Sequence, residues 1–174
     1  MTVSFEGFPR TLDRSALRPG RWFVAAEGMK ALICLATDVA DGADFVALAF
    51  SPTGVEQLEL TITTLGALPG PFGTIEDEIV FAPGVGDGRP ILAAPVRRAF
   101  RTGSLLRLRN GDLGIGFSAT NGGHLVMVSL SSGQRAEAFD LVFERWSLSM
   151  RRGGVETLIG AYKPLQTFAD RRRG

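Results

Sequence analysis

Arginine is the residue type through which this chain could do chemistry. Arg14 and Arg18 form one R-x-x-x-R spacing, and Arg97 and Arg101, with Arg98 between them, form a second. A guanidinium is a planar fork of donors that grips phosphate or carboxylate and stacks on rings. Lysine is scarce, at Lys30 and Lys163 alone. The charge is also uneven. Residues 1–90 carry twelve acids against six bases, and residues 91–174 six against thirteen, which gives −6 and +7 within a net charge of +1. A basic second half suits an anionic partner, although its arginines are interspersed rather than massed.

The residues of enzyme chemistry form no recognisable set. His124 is the only histidine, which excludes a multi-histidine metal centre. It follows the Asn121-Gly122-Gly123 turn, with no serine, cysteine or carboxylate at a general-base spacing. Cys34, the only cysteine, lies in the apolar run Leu32–Leu35 and reads as a small core hydrophobe. Asp38, Asp41 and Asp44 lack the alternating acceptors and distal glutamate of a calcium loop. Gly84–Gly88 lacks the Gly-Lys-Ser/Thr of a phosphate loop, and Pro90 stops a following helix. Glu76-Asp77-Glu78 reads as a solvated acidic run. These readings give a non-catalytic chain that needs no metal and no cofactor.

Positioning falls to β-structure. Arg21–Ala26, Lys30–Thr37, Phe45–Phe50 and Leu58–Thr64 read as strands, after one helical turn near Leu12–Leu17 and a short strand at Thr2–Phe8. Asp41-Gly42 suits a tight hairpin with positive φ. Leu58, Leu60 and Ile62 alternate with Glu59, Thr61 and Thr63, the pattern of a strand with one wet face. Ser104–Arg109, Leu113–Ser118, Leu125–Leu130 and Ala138–Phe143 repeat the series, with Asn110-Gly111 and Asn121-Gly122 as hairpin signals. Trp146–Met150 and Val155–Tyr162 add two strands before a tail ending in Arg171-Arg172-Arg173. Gly114 and Gly116 share one strand face, which marks a bend in a barrel or a close approach.

The expected fold is therefore all-β, with two duplicated small antiparallel β-barrels or meanders packed together and short helices at most. Residues 1–66 form the first repeat, 67–95 a Pro/Gly-rich connector with one strand near Glu78–Phe81, and 96–174 the second repeat with its tail. The repeats align when Arg14 is set against Arg97, Arg18 against Arg101 and Gly20 against Gly103. Asp38 then meets Ser118, and Phe45 meets Leu125. The shift between the two offsets is taken up at Glu27-Gly28-Met29 against Asn110-Gly111-Asp112. Apolar runs are strand-sized, far short of a membrane span. The absence of a basic-then-apolar start and the single cysteine point to the cytoplasm.

In each repeat the R-x-x-x-R pair precedes a six-residue turn, Asp38–Ala43 and then Ser118–Gly123. This layout resembles that of PilZ domains, small β-barrels with R-x-x-x-R ahead of a D/N-x-S-x-x-G turn. The resemblance implies that the arginines clamp cyclic di-GMP while the turn contacts a guanine. In this chain that role would fall to Arg97, Arg98, Arg101, Ser118, Thr120 and Gly123. The first turn keeps Asp38 but has Ala40 and Ala43 in place of Ser and Gly. The second keeps Gly123 and a hydroxyl at Thr120 but has Ser118 in place of the acid or amide. Three functions follow as expectations. The first is a binding module for another protein or for itself, and the second a cyclic-dinucleotide receptor with a degenerate motif. The third is an enzyme with an unrecognised site. A nucleic-acid partner is disfavoured, because few stacking aromatics accompany the arginines.

Overall fold

A computed structural model describes residues 11–27, 30–41, 44–53, 56–68, 70–85, 88–90, 100–118 and 125–163. Among these residues the chain is all-β, with no helix of seven residues or more. Among the described residues no helix is long and apolar enough to cross a membrane. In chain order the elements are β1 (Thr11–Leu12), a 3-10 turn (Arg14–Ala16), β2 (Trp22–Glu27), β3 (Lys30–Asp41), β4 (Asp44–Pro52) and β5 (Gln57–Thr64). A second 3-10 turn (Leu65–Ala67), β6 (Phe72–Thr74), β7 (Glu78–Pro83) and β8 (Arg89–Pro90) follow. Next come β9 (Ser104–Leu108), β10 (Leu113–Ser118), β11 (Leu125–Ser129), β12 (Arg135–Ala136) and β13 (Phe139–Phe143). The last two are β14 (Trp146–Arg152) and β15 (Val155–Tyr162). The strand expected at Thr2–Phe8, the Asn121-Gly122 turn, His124 and the arginine tail lie outside the described residues.

Two sheets form, one of them curled into a half-barrel. The nine-stranded sheet has the order β1-β6-β2-β3-β4-β5-β15-β14-β7, and the six-stranded sheet β12-β11-β10-β9-β13-β8. Read from its other end, the second order is that of the first six strands with seven added to each number. Register follows the same plan. Trp22 pairs with Leu35 and Leu35 with Leu48, as Leu105 pairs with Ile115 and Ile115 with Val128.

The connector expected over 67–95 holds more than one strand. Besides β7 it contributes β6, which returns to pair with β2, and β8, which pairs with β13. Nor do the halves part at the connector. β14, from the second half, lies antiparallel to β7 inside the nine-stranded sheet, and β15 lies parallel to β5. Proline did not prevent this, since β7 is an edge strand and Pro83 closes it.

Burial explains why some strands read as unbroken apolar runs and others as alternations. Ile33, Leu35, Val46, Leu48 and Phe50 join Leu105, Ile115, Phe117, Val126, Val128, Trp146 and Leu148 in one core shared by both halves. The opposite faces of β3 and β4 bury Leu32, Cys34, Ala36, Ala47 and Ala49 beneath Leu12, Leu17, Leu65, Leu68 and Phe72. Strands buried on both faces lose the period-2 signal. The second half has its own smaller core of Phe100, Leu106, Leu108, Met127 and Val142. There the paired glycines make room for side chains of the protein itself. A Cβ on Gly114 would meet Val128 O at 2.8 Å and Leu108 Cδ2 at 3.0 Å, and one on Gly116 would strike the Phe100 ring.

The Asn110-Gly111 hairpin forms differently from the two-residue turn that such a pair favours. Gly111 has φ 89°, while Asn110 keeps a negative φ. Gly111 N–H donates to Leu108 O at 2.9 Å and Leu108 N–H to Asp112 O at 2.8 Å. This is a type I turn closed by a bulge at the glycine. Asn110 stays in the ordinary region because its Oδ1 accepts from Asp112 N–H at 3.1 Å.

Candidate ligand-binding site at the arginine loops

Each half opens with a loop that reaches its first long strand through a glycine of positive φ, Gly20 at 85° and Gly103 at 87°. The hydrogen bonds at these two positions match. Gly20 N–H donates to Ala36 O and Gly103 N–H to Gly116 O, both at 2.8 Å. Arg21 N–H donates to Arg18 O and Ser104 N–H to Arg101 O, both at 3.0 Å. Only glycine adopts this φ at no steric cost, which is why both loops carry it. Beyond that point the two openings differ.

In the first half the arginines are occupied by carbonyls. Arg14 donates from Nη1 to Gly66 O at 3.0 Å and from Nη2 to Leu68 O at 2.8 Å, with its guanidinium 5.3 Å from the centre of the Phe72 ring. Arg18 Nη1 donates to Ser15 O at 2.5 Å and Leu17 O at 2.8 Å. The turn after β11, from the second half, seats against this opening. Asp38 N–H donates to Gly133 O at 2.9 Å, and Trp22 Nε1 to Leu130 O at 3.2 Å. A Cβ on Gly133 would strike Gly20 and Ala36, so the contact is backbone on backbone.

In the second half the loop Arg101–Ser104 meets the end of β10. Ser118 N–H donates to Thr102 Oγ1 at 3.1 Å, and Arg101 N–H to Ser104 Oγ at 3.1 Å. Thr102 therefore links Arg101 to Ser118, two of the six residues marked from the sequence. Arg97, Arg98, Thr120 and Gly123 lie outside the described residues. Three further residues shape this loop and carried no sequence signal. They are Thr102 itself, Trp146, whose Nε1 donates to Gly103 O at 2.8 Å, and Tyr162, whose hydroxyl donates to Thr102 O at 3.1 Å. Burial raises the Tyr162 phenol above its ordinary value, which keeps it a donor. The partner of a loop carbonyl some sixty residues away could be found only by folding the chain.

The other polar groups have structural duties. Cys34 is fully buried, and burial pushes its thiol up to about 12, so it is no nucleophile near neutrality. Asp44 accepts from Phe45 N–H at 2.9 Å and from Gly66 N–H, which ties it to the second 3-10 turn. The acidic run faces arginines. Arg151 bridges Glu78 at 3.1 Å and Glu156 at 2.9 Å, and Arg152 meets Asp77 at 2.5 Å. The hydrogen bond from Arg151 holds the Glu156 carboxyl below the usual carboxylate value. Among the described residues, no three His, Cys, Asp or Glu side chains converge as a metal site would require. Compared with known protein families, with curated proteins and with solved structures, the chain matches none.

Proposed function

We propose that this chain is a non-catalytic β-barrel binding module, built by internal duplication, that associates with a second copy of itself. The duplication is supported by the shared strand order, the parallel registers and the matched hydrogen bonds at Gly20 and Gly103. The observation that carries the association is the start of β15. Val155, Glu156, Thr157 and Leu158 are exposed in succession, with Val155 69% and Leu158 43% exposed. Among the described residues, pairing on the outer side of β15 covers only Ala161 and Tyr162. A bare strand edge with large apolar side chains is a template for a further strand. Two copies pairing antiparallel about Thr157 would set Thr157 against its own counterpart and Glu156 against Leu158, so that no like charges face each other.

Sedimentation equilibrium over a wide concentration range tests the reading. The wild type should move from one-chain to two-chain mass, and Thr157→Lys, which sets two like charges opposite each other, should hold it at one. A wild type that stays at one-chain mass throughout would remove self-association.

A second reading is favoured by the link between Arg101 and Ser118. In this reading the second half is a PilZ-like receptor for cyclic di-GMP, using Arg97, Arg98, Arg101, Ser118, Thr120 and Gly123. The first half then serves as scaffold, since Arg14 and Arg18 already bind carbonyls and its opening holds the Ser132–Gly133 turn. Calorimetric titration should then give one nucleotide site per chain. Arg101→Ala should weaken it by about tenfold or more, the worth of one charge-assisted bond. No heat and no thermal shift at near-millimolar nucleotide would remove this reading.

A further inference from the structure

The loop Arg101–Ser104 is held from three elements at once, and two of its tethers meet at a single residue. Thr102 accepts the Ser118 amide of β10 on its side-chain Oγ1 and the Tyr162 hydroxyl of β15 on its backbone carbonyl, each at 3.1 Å. The adjacent Gly103 carbonyl accepts Trp146 Nε1 from β14 at 2.8 Å. Trp146 and Tyr162 are cross-strand partners, stacked with centroids 4.9 Å apart and planes 15° from parallel. One aromatic pair therefore supplies both donors to two successive carbonyls of the loop.

The first half lacks this arrangement. Pro19 stands one residue before Gly20, where Thr102 stands before Gly103, and it offers no hydroxyl. The amide of Asp38, which corresponds to that of Ser118, turns to Gly133 O instead. The polar tether thus belongs to the one opening that the β11–β12 turn leaves to other uses.

We propose that Thr102 and Tyr162 are positioning residues of the second opening. Thr102 fixes the backbone of Arg101 relative to the end of β10, and Tyr162 fixes that assembly to the C-terminal strand. A site that must hold an anion gains from having its donors fixed before binding, because less ordering is then required on association. The role in ligand binding rests on the receptor reading of this opening. The coupling between Tyr162 and Ser118 through Thr102 is a property of the protein alone, and it can be measured without ligand.

The experiment uses the full chain in four forms, wild type, Tyr162→Phe, Thr102→Val and Thr102→Ser. Amide hydrogen exchange is read at Ser118, whose N–H bonds Thr102 and not Tyr162. Tyr162→Phe keeps the stacked ring and removes only the hydroxyl, yet it should speed exchange at Ser118 by about fivefold, the effect of one lost hydrogen bond. Thr102→Val should do at least as much, and Thr102→Ser should restore the wild-type rate. A Ser118 rate unchanged in Tyr162→Phe, or a Thr102→Ser variant as fast as Thr102→Val, overturns the proposal. Titration of the same four proteins with cyclic di-GMP should show weaker binding in Tyr162→Phe and Thr102→Val than in the wild type and Thr102→Ser. A wild type that takes up no nucleotide refutes the receptor reading, while the exchange rates still decide the positioning.

Discussion

Replacing Gly116 with alanine tests how the second half fills its own core. The strand residue has an ordinary φ, so alanine is compatible with the backbone and would by itself gain about 0.5–1 kcal/mol over glycine. The added methyl has nowhere to go, however. It would strike the Phe100 ring, whose Cζ stands 3.1 Å from it and whose nearer atoms are closer still. Phe100 cannot step aside freely, because it is 6% exposed and packs edge-on against Phe139 at 5.4 Å. Overpacking of this kind costs about 1–3 kcal/mol. The expected net loss is about 1–2 kcal/mol, or a fall in melting midpoint of roughly 2–8 °C for a chain of this size. The first half supplies its own control. Ala36 occupies the position of Gly116, and Leu17 stands three residues before Gly20 as Phe100 stands before Gly103. Both lie in one buried cluster. Gly116→Ala combined with Phe100→Leu should therefore be at least about 1 kcal/mol more stable than the two single losses added together. Urea unfolding of the four proteins, followed by tryptophan fluorescence, measures the cycle. A neutral Gly116→Ala, or a strictly additive pair, would refute the packing argument.

Further outcomes follow from buried and tethered groups. Cys34 should ignore a thiol-disulfide reagent in the native protein and react fully once denatured, since its pKa is raised from 9.0 to about 12; reaction at the rate of a free thiol would contradict its burial. Because the folded thiol is the weaker acid, this group's contribution to stability is complete below pH 9 and is lost as pH rises toward 12. Arg14→Lys should destabilise the fold by about 1 kcal/mol, because an ammonium cannot donate along both directions of the guanidinium fork to the Gly66 and Leu68 carbonyls. A melting midpoint equal to that of the wild type would show that the pair of bonds is solvent-equivalent.

Local chemistry made much of the fold legible. Val155–Tyr162 and Leu113–Ser118 could be bounded from sequence because glycine turns and apolar alternation mark their ends. The second 3-10 turn, Leu65–Ala67, and the strands β6 and β8 were not legible. Each is only two or three residues long, and β6 and β8 exist only through partners far away in the chain, β2 and β13. The same holds for the candidate site. The R-x-x-x-R spacing is visible in both halves, but the different fates of the arginines are not. Arg14 finds the Gly66 and Leu68 carbonyls only when the second 3-10 turn and the loop before β2 come together, whereas Arg18 turns back on the Ser15 and Leu17 carbonyls of its own loop.

The sequence by itself determined that the chain is all-β, where most strands run, and that Gly111, Gly153 and Gly154 carry turns, because φ restrictions and hydrophobic period act within a few residues. Only the tertiary structure decided that β14 and β15 cross into the first sheet, that Gly114 and Gly116 yield to Leu108 and Phe100, and that Tyr162 and Trp146 hold the loop of Arg101. These are matters of which surfaces meet. Strand edges and apolar faces are chemically alike along the chain, and the choice among them is made by the packing of the whole.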